Sequence, residues 1–418
     1  VNIVHVSTHD TLGGAAMAAH RLHSALKRKG VGSRMQVAWR RSDDDAVSEM
    51  ATLTGPAQWW RVLRRMRAHG PLKLTRRVRP PDADLFSAAR TQFGRDLLRA
   101  MPPCDVIHLH WVAELVDYGA FLPPAAAAAP LVWTLHDMNP FTGGCHYSGG
   151  CERFTERCGA CPQLASRREG DLSRRIWRRK FDALSRVRAG RLRIVAPSQW
   201  MADLARRSSL LGGFEVTVIP NGVDTGLFTP LDRSAARRRL AIADDVRVVL
   251  FVAHHLNDRR KGAALLMDAL GRLSQAGGPT LLTVGQGECY PPRGVAHCHV
   301  APVTDEAEMA GLYAAADVLA APSVQDNLPN TIIEAMACGL PSVAFSVGGV
   351  ADAVECGQTG LLVEGCDAGR LAEALERLLG DDGLRGQMSE ACRRQAMEAF
   401  SLDAVSGRYL DLYEGLIR

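Results

Sequence analysis

Two acids eight positions apart, Asp326 and Glu334, stand in the stretch APSVQDNLPNTIIEAMACGLPSVAF at residues 321–345. Around Glu334 lie Ile332, Ile333, Ala335, Met336 and Ala337, so a helix there has almost no polar face on which a charge is solvated, and the pattern predicts burial. A buried carboxylate needs hydrogen-bond donors. Sugar or ribose hydroxyls at the carboxyl end of a parallel sheet would supply them, and so would a neighbouring loop that the carboxylate caps. Cations of complementary chemistry come earlier, where Arg259, Arg260 and Lys261 directly precede a helical repeat of Leu265, Leu266, Ala269, Leu270 and Leu273. Positive charge at a helix amino terminus is unfavourable unless an anion is present, which favours a functional role for these cations. Glycine pairs Gly13-Gly14 and Gly348-Gly349 follow strand patterns and let backbone amides approach an anion. His136 closes the buried-strand pattern LVWTLH at the kind of strand end where α/β sheets keep ligands, with Asp137 placed to orient it.

A second constellation follows at once: Cys145, Cys151, Cys158 and Cys161, four thiols within 17 residues that end in a C-x2-C. The spacing matches a tetrahedral structural zinc site. Two disulfides compete with it but need an oxidising compartment, and no strand–helix junction frames a redox C-x-x-C.

The elements that must position these residues read as alternating strands and helices. Strands are expected at Asn2–Ser7, Asp105–Trp111, Leu131–His136, Ile194–Ser198, Val246–Ala253, Leu281–Gly287, Ala301–Val303, Asp317–Ser323 and Pro341–Phe345, with Ser198 capping a helix. Pro329 opens the helix of Glu334, and Gly339 with Pro341 closes it. The opening glycine pair is not a G-x-G-x-x-G fingerprint, because Ala15, Ala16 and Ala19 stand where further glycines would be needed, which argues against a dehydrogenase. Asp43, Asp44 and Asp45 are expected to form a solvated loop and not a metal-binding acid pair, since no strand pattern precedes them.

Length and composition bound the answer. The 418 residues, 47% hydrophobic, suffice for two or three domains. Neither a membrane-spanning run nor a leader pattern is expected, so the cysteines are expected to be reduced thiols or metal ligands. Charge is segregated: residues 1–230 hold 33 basic against 20 acidic residues (+13) and residues 231–418 hold 17 against 25 (−8), which sum to +5. Gln58–Arg79 carries eight cations, no acid, and Trp59 and Trp60. That is the composition of an interfacial helix or of a basic helix packed by its tryptophans. Arg167–Arg193 adds eleven basic and three acidic residues. No nucleic-acid-binding signature accompanies this charge, so an anionic lipid surface or a lipid-diphosphate acceptor is the expected partner.

The string QDNLPNTIIEAMACGLP, together with IPNGVD at 219–224, resembles glycosyltransferase family 4, and the longer string resembles its bacterial exopolysaccharide branch of the colanic-acid type. The resemblance covers nearly the whole chain. It implies a GT-B architecture: an acceptor-side Rossmann-like domain at 1–222 with the cysteine loop at 143–162, a nucleotide-sugar-binding domain at 223–398, and a helix at 399–418 returning to the first domain. It also implies retaining transfer of a hexosyl group from a nucleotide diphosphate sugar to a polyprenyl-diphosphate-linked or polysaccharide acceptor, by a cytoplasmic enzyme at the inner face of the membrane. No catalytic metal is expected. In this comparison His136, Asp326 and Glu334 are catalytic, and Gly13, Gly14, Arg260, Lys261, Asn330, Thr331, Glu334 and Gly348 bind the donor. Departures are Asp326, where the family usually has Glu, and His254-His255 at a strand end. A nucleotide-sugar epimerase, a glycogen-type synthase and a non-catalytic nucleotide-sugar-binding scaffold share the fold and are the alternatives.

Overall fold

The computed structural model describes residues 1–50, 79, 80, 83–273 and 278–418, with positions 62, 63, 66, 70, 72, 73 and 75. Most of the basic Gln58–Arg79 stretch therefore lies outside the described residues. The chain forms two compact units, Val1–Ile219 with Ser406–Arg418, and Pro220–Val405.

In the first unit, strands β1 (Asn2–His9), β2 (Gly32–Trp39), β3 (Val47–Glu49), β4 (Val106–Leu109), β5 (Leu131–Thr134), β6 (Leu192–Ala196) and β7 (Glu215–Val218) form a parallel sheet in the order β3-β2-β1-β4-β5-β6-β7. The order runs outward in both directions from β1 and β4, so the carboxyl ends of these strands form a switch point. The strands are near-continuous apolar runs because helices cover both faces of a parallel sheet. These helices include α1 (Gly14–Arg28), α2 (Tyr118–Ala128), α3 (Leu172–Leu184) and α4 (Gln199–Arg207). Asp117, Asp171 and Ser198 cap the last three by accepting from the amides of Ala120, Arg174 and Met201, each cap contributing about 1 kcal/mol. Trp133, Phe121 and Phe141 fill the core completely buried, and the Trp133 indole N–H donates to the His110 carbonyl at 3.2 Å.

The aspartate run corrects an expectation, because a strand does precede it: β2 ends at Trp39, four positions before Asp43. Strand β2 was hidden by its mixed composition, GSRMQVAW. The run is nonetheless a loop: Asp43 and Asp45 are exposed, while Asp44 is held by Lys27 at 2.7 Å and His23 at 3.2 Å.

The second unit repeats the architecture. Strands β8 (Val248–His255), β9 (Thr280–Gln286), β10 (His297–Val300), β11 (Val318–Ala321), β12 (Ser342–Phe345) and β13 (Gly360–Val363) are parallel in the order β10-β9-β8-β11-β12-β13. Helices α5 (Ala263–Leu273), α6 (Glu306–Ala315) and α7 (Asn330–Ala337) pack on them. Buried Asp317 ties the amino ends of β8 and β11 together, accepting from Arg233 at 2.6 Å, Arg237 at 2.8 Å and the Val248 amide at 2.7 Å. The strand expected at Ala301–Val303 is instead His297–Val300. Its pairing with β9 ends at Val284, since Gly285 follows with φ 148° and packs against the Ala253 carbonyl of β8.

The segments by which the chain enters and leaves this unit are bonded to each other, Val223 N to Phe400 O at 2.8 Å and Leu402 N to Val223 O at 3.0 Å. The last helix, α8 (Leu402–Ile417), belongs to the first unit from Ser406 onward.

Candidate functional site

In the second unit the carboxyl ends of β8, β11 and β12 gather most of the expected donor-binding residues. A short 3-10 turn, Arg259–Lys261, capped by Asp258, follows β8. Lys261 Nζ donates to Asp326 Oδ2 at 2.6 Å, and the Arg260 guanidinium is 3.4 Å from the same oxygen and donates to the Gln325 carbonyl at 3.1 Å. Ser323 Oγ and the Asn327 amide also donate to the carboxylate. Burial pushes the Asp326 carboxyl upward, but Lys261 and Arg260 outweigh it and hold it below the usual range. Three loops are laced together here: Val324 N donates to Arg260 O, and Gly349 N to Asp326 O. Two glycines permit the close approach. A Cβ at Gly262 (φ 74°) would fall 1.8 Å from the Pro322 carbonyl, and one at Gly348 (φ 58°) would fall 1.8 Å from the Asp326 carbonyl, clashes that no L side chain relieves.

One loop further on, Asn330 opens α7, and its side-chain oxygen accepts from Asn221 Nδ2 at 2.9 Å. Thr331 is half-buried beside it. Glu334, buried as expected, accepts from the Tyr313 hydroxyl of α6 at 2.8 Å. Asn221 and Tyr313 escaped the sequence reading. The IPNGVD match singled out the segment of the first but not its contact, and Tyr313 had no signal beyond helical periodicity.

In the first unit, Gly13 (φ 86°) precedes α1, accepts from the Met17 amide, and faces open space where a Cβ would stand. Gly14 is the first residue of that helix. Buried Asp10 anchors the loop between β1 and α1, accepting from the amides of Thr11, Arg41 and Ser42 at 2.7–3.0 Å. The sequence signal for it is an acid directly after the first strand.

His136 lies just beyond β5, its Nε2 3.2 Å from His110 Nδ1. Burial lowers its pKa to about 4 against a smaller opposing pull from Asp137, so the imidazole is neutral near pH 7. Asp137 does not orient this ring by a hydrogen bond. Its Oδ2 takes Trp111 Nε1 at 2.7 Å and His146 Nδ1 at 2.5 Å, and its Oδ1 takes the Asn139 amide. His146 in turn bonds Ser87 Oγ.

Cys145, Cys151, Cys158 and Cys161 line one small cavity, all as free thiols. The donor set suits a soft, thiolate-loving ion. The Gly143 amide donates to Cys158 Sγ at 3.1 Å, the amides of Gln163 and Leu164 face Cys161, and fully buried Lys180 adds a positive charge beside Cys145 and Cys158. A tetrahedral ion would set the sulfurs roughly 3.8 Å apart. Among the described residues only His5, His108 and His110 bring three candidate ligand atoms within 4.8 Å of one another. That trio is a poor metal site. Both nitrogens of His108 are taken by Tyr413 Oη and Thr134 Oγ1, and both of His110 by His5 and His136. A cavity of about 760 Å³ opens at the amino ends of β1 and β2, away from the strand ends that carry His136 and the glycine loop.

Residues 12–227, a little over half of the chain, match the family described as Glycosyltransferase Family 4, and residues 246–381 match Glycosyl transferases group 1. The chain belongs to glycosyltransferase family 4. A D-inositol 3-phosphate glycosyltransferase of Catenulispora acidiphila is 30% identical over 351 residues, 78% of this chain and 76% of that protein. Other curated relatives of that name are matched over about half of their length, 54% and 48%. Among solved structures, sucrose-phosphate synthase from Thermosynechococcus elongatus has a TM-score of 0.66 at 20% identity, covering 100% of this chain and 99% of that one. HepE of Anabaena with UDP-glucose has a TM-score of 0.63 at 19% identity, covering 99% of both chains. The fold of this family 4 member is GT-B.

Proposed function

We propose that the protein transfers a hexosyl group, with retention, from a nucleoside diphosphate sugar held by the second unit. The observation that carries this reading is the Arg260–Lys261–Asp326 cluster at the carboxyl ends of β8 and β11. The two cations and Asp326 are pre-paired, so the donor exchanges internal contacts for equivalent ones: its diphosphate takes Lys261 and Arg260, and its sugar hydroxyls take the freed carboxylate. Positive charge fixed at the leaving diphosphate stabilises the charge that develops there as the glycosidic bond breaks. Glu334, positioned by Tyr313, accepts further hydroxyls of the donor, with Asn330, Thr331 and the amide of Gly348 beside it. In the first unit, neutral His136 meets the transferred sugar, and the Gly13-Gly14 loop meets phosphate. The UDP-glucose complex of HepE supports a nucleotide sugar as the ligand class.

For the acceptor, the basic first half favours a polyprenyl-diphosphate-linked or polysaccharide chain of exopolysaccharide or capsule synthesis at an anionic membrane surface. The names of the curated relatives favour a second reading, a small phosphorylated polyol. Both acceptors are anionic and suit the same charge. Purified protein with radiolabelled UDP-, GDP- and ADP-sugars, offered lipid-linked or inositol-phosphate acceptors, separates them by product. The enzyme reading requires transfer or slow donor hydrolysis; binding without either leaves the scaffold, and conversion of the donor sugar to its epimer leaves the epimerase. We further propose that the four cysteines hold one structural zinc.

A further inference from the structure

His136 is the outer end of a line of three imidazoles. His136 Nε2 is 3.2 Å from His110 Nδ1, and His110 Nε2 is 3.0 Å from His5 Nδ1. His5 and His110 are 0% and 2% exposed, and no protein group among the described residues reaches His5 Nε2. The line follows from strand register. His5 pairs with His108 and His108 with Val132; alternation then puts positions 5, 108, 110, 134 and 136 on one face of the sheet.

We propose that His5 and His110 are positioning residues that fix the tautomer of His136, placing its proton on Nδ1 for donation to the transferred sugar. This rests on the reading of His136 given above. A neutral imidazole has one N–H and one lone pair, so one proton position sets all three rings. In one arrangement His5 Nε2 carries an N–H with no acceptor, and in the other it presents only a lone pair. A buried orphan donor is the costlier of the two. The favoured order is therefore His5 Nδ1–H donating to His110 Nε2, and His110 Nδ1–H donating to His136 Nε2. The line needs neutral rings, and burial lowers the pKa of all three. The titratable groups facing it are His23 and His108, which are also neutral near pH 7, and Asp137, which is committed to Trp111, His146 and the Asn139 amide.

The test is long-range ¹⁵N–¹H correlation on the full chain with labelled histidine, beside steady-state kinetics. Wild type is expected to show His136 protonated on Nδ1. His5→Asn, whose amide N–H stands near the old Nδ1, keeps that signature. His5→Asp sets an acceptor-only carboxylate beside His110 Nε2, draws that ring's N–H toward it and turns the line round, so that His136 carries its proton on Nε2 and kcat falls about 10- to 100-fold or more with the donor KM unchanged. A proton on Nε2 of His136 in wild type, or a His136 signature unmoved in His5→Asp, overturns the proposal. The wild-type spectrum alone decides the direction of the line, so a variant that fails to fold does not remove the test. Should His136→Ala retain full transfer, the sugar-contact reading fails, while the spectra still decide the relay.

Discussion

Asp326 and Glu334 are both buried carboxylates, yet one faces two cations and the other a phenol. Their substitutions should therefore diverge. Glu334→Gln keeps an oxygen for Tyr313 and is expected to fold with an unchanged melting temperature while transfer is lost; near wild-type kcat/KM would remove Glu334 from the site. Asp326→Ala is expected to reduce transfer severely but to tighten the free nucleoside diphosphate, because Lys261 and Arg260 lose their internal anion. Lys261→Ala should weaken that ligand by about 1.5–3 kcal/mol, the range of a charge-assisted hydrogen bond. Calorimetric titration with the diphosphate reads both, and equal affinities in all three proteins would place the phosphate elsewhere. Glu334, Arg260 and Lys261 stood out in the sequence because charge inside or at the head of an apolar helix demands a partner, and Asp326 stood out through the family resemblance. The partners themselves did not. Tyr313 reaches Glu334 across 21 positions and His110 reaches His136 across 26, distances that only helix packing and strand register close.

Among elements, the shared histidine face of β1 and β4 makes the first unit acid-sensitive. Burial lowers His23 and His136 to about 4, and holds His5, His108 and His110 well below their ordinary value. A depressed histidine contributes its full stability above the unfolded pKa near 6.5 and loses it as pH falls toward the folded value. Each such ring costs up to about 1.4 kcal/mol per pH unit across that window. Thermal melts should therefore drop steeply from pH 7 to pH 5, before most carboxylates titrate; a flat profile would show the rings to be solvated. The cysteine loop makes a separate demand. One zinc per chain is expected by elemental analysis of protein purified under reducing conditions, with Cys158→Ser lowering both zinc content and melting temperature, and a zinc-free preparation of undiminished stability would refute it. Strand positions were readable from apolar runs, whereas β2 and β10 were missed or misplaced because polar residues and histidines interrupt them.

At the scale of the whole molecule, the charge asymmetry carries the remaining prediction. No helix among the described residues is long and apolar enough to cross a membrane; the basic first half is the part of the chain that favours contact with a lipid-borne acceptor. Each cation near an anionic surface contributes about 1 kcal/mol. Co-sedimentation with anionic vesicles is expected at low salt, with release near about 0.5 M salt as screening shortens, and weakening in the Trp59→Ala, Trp60→Ala double variant. Equal partition with neutral vesicles would assign the charge to solvation. The division into two α/β units was legible from the repeated strand–helix alternation and from IPNGVD, but the return of residues 406–418 to the first unit came from resemblance alone. That return makes the second unit a guest threaded into the first, its two ends bonded to each other at Val223 and Leu402. Tyr409 and Tyr413, which satisfy Thr134 and His108, are synthesised only after the guest is complete. The unit that begins first on the ribosome is thus finished last, and until then its central strands hold unmet polar groups, a window in which a chaperone that binds incomplete sheets would find this chain.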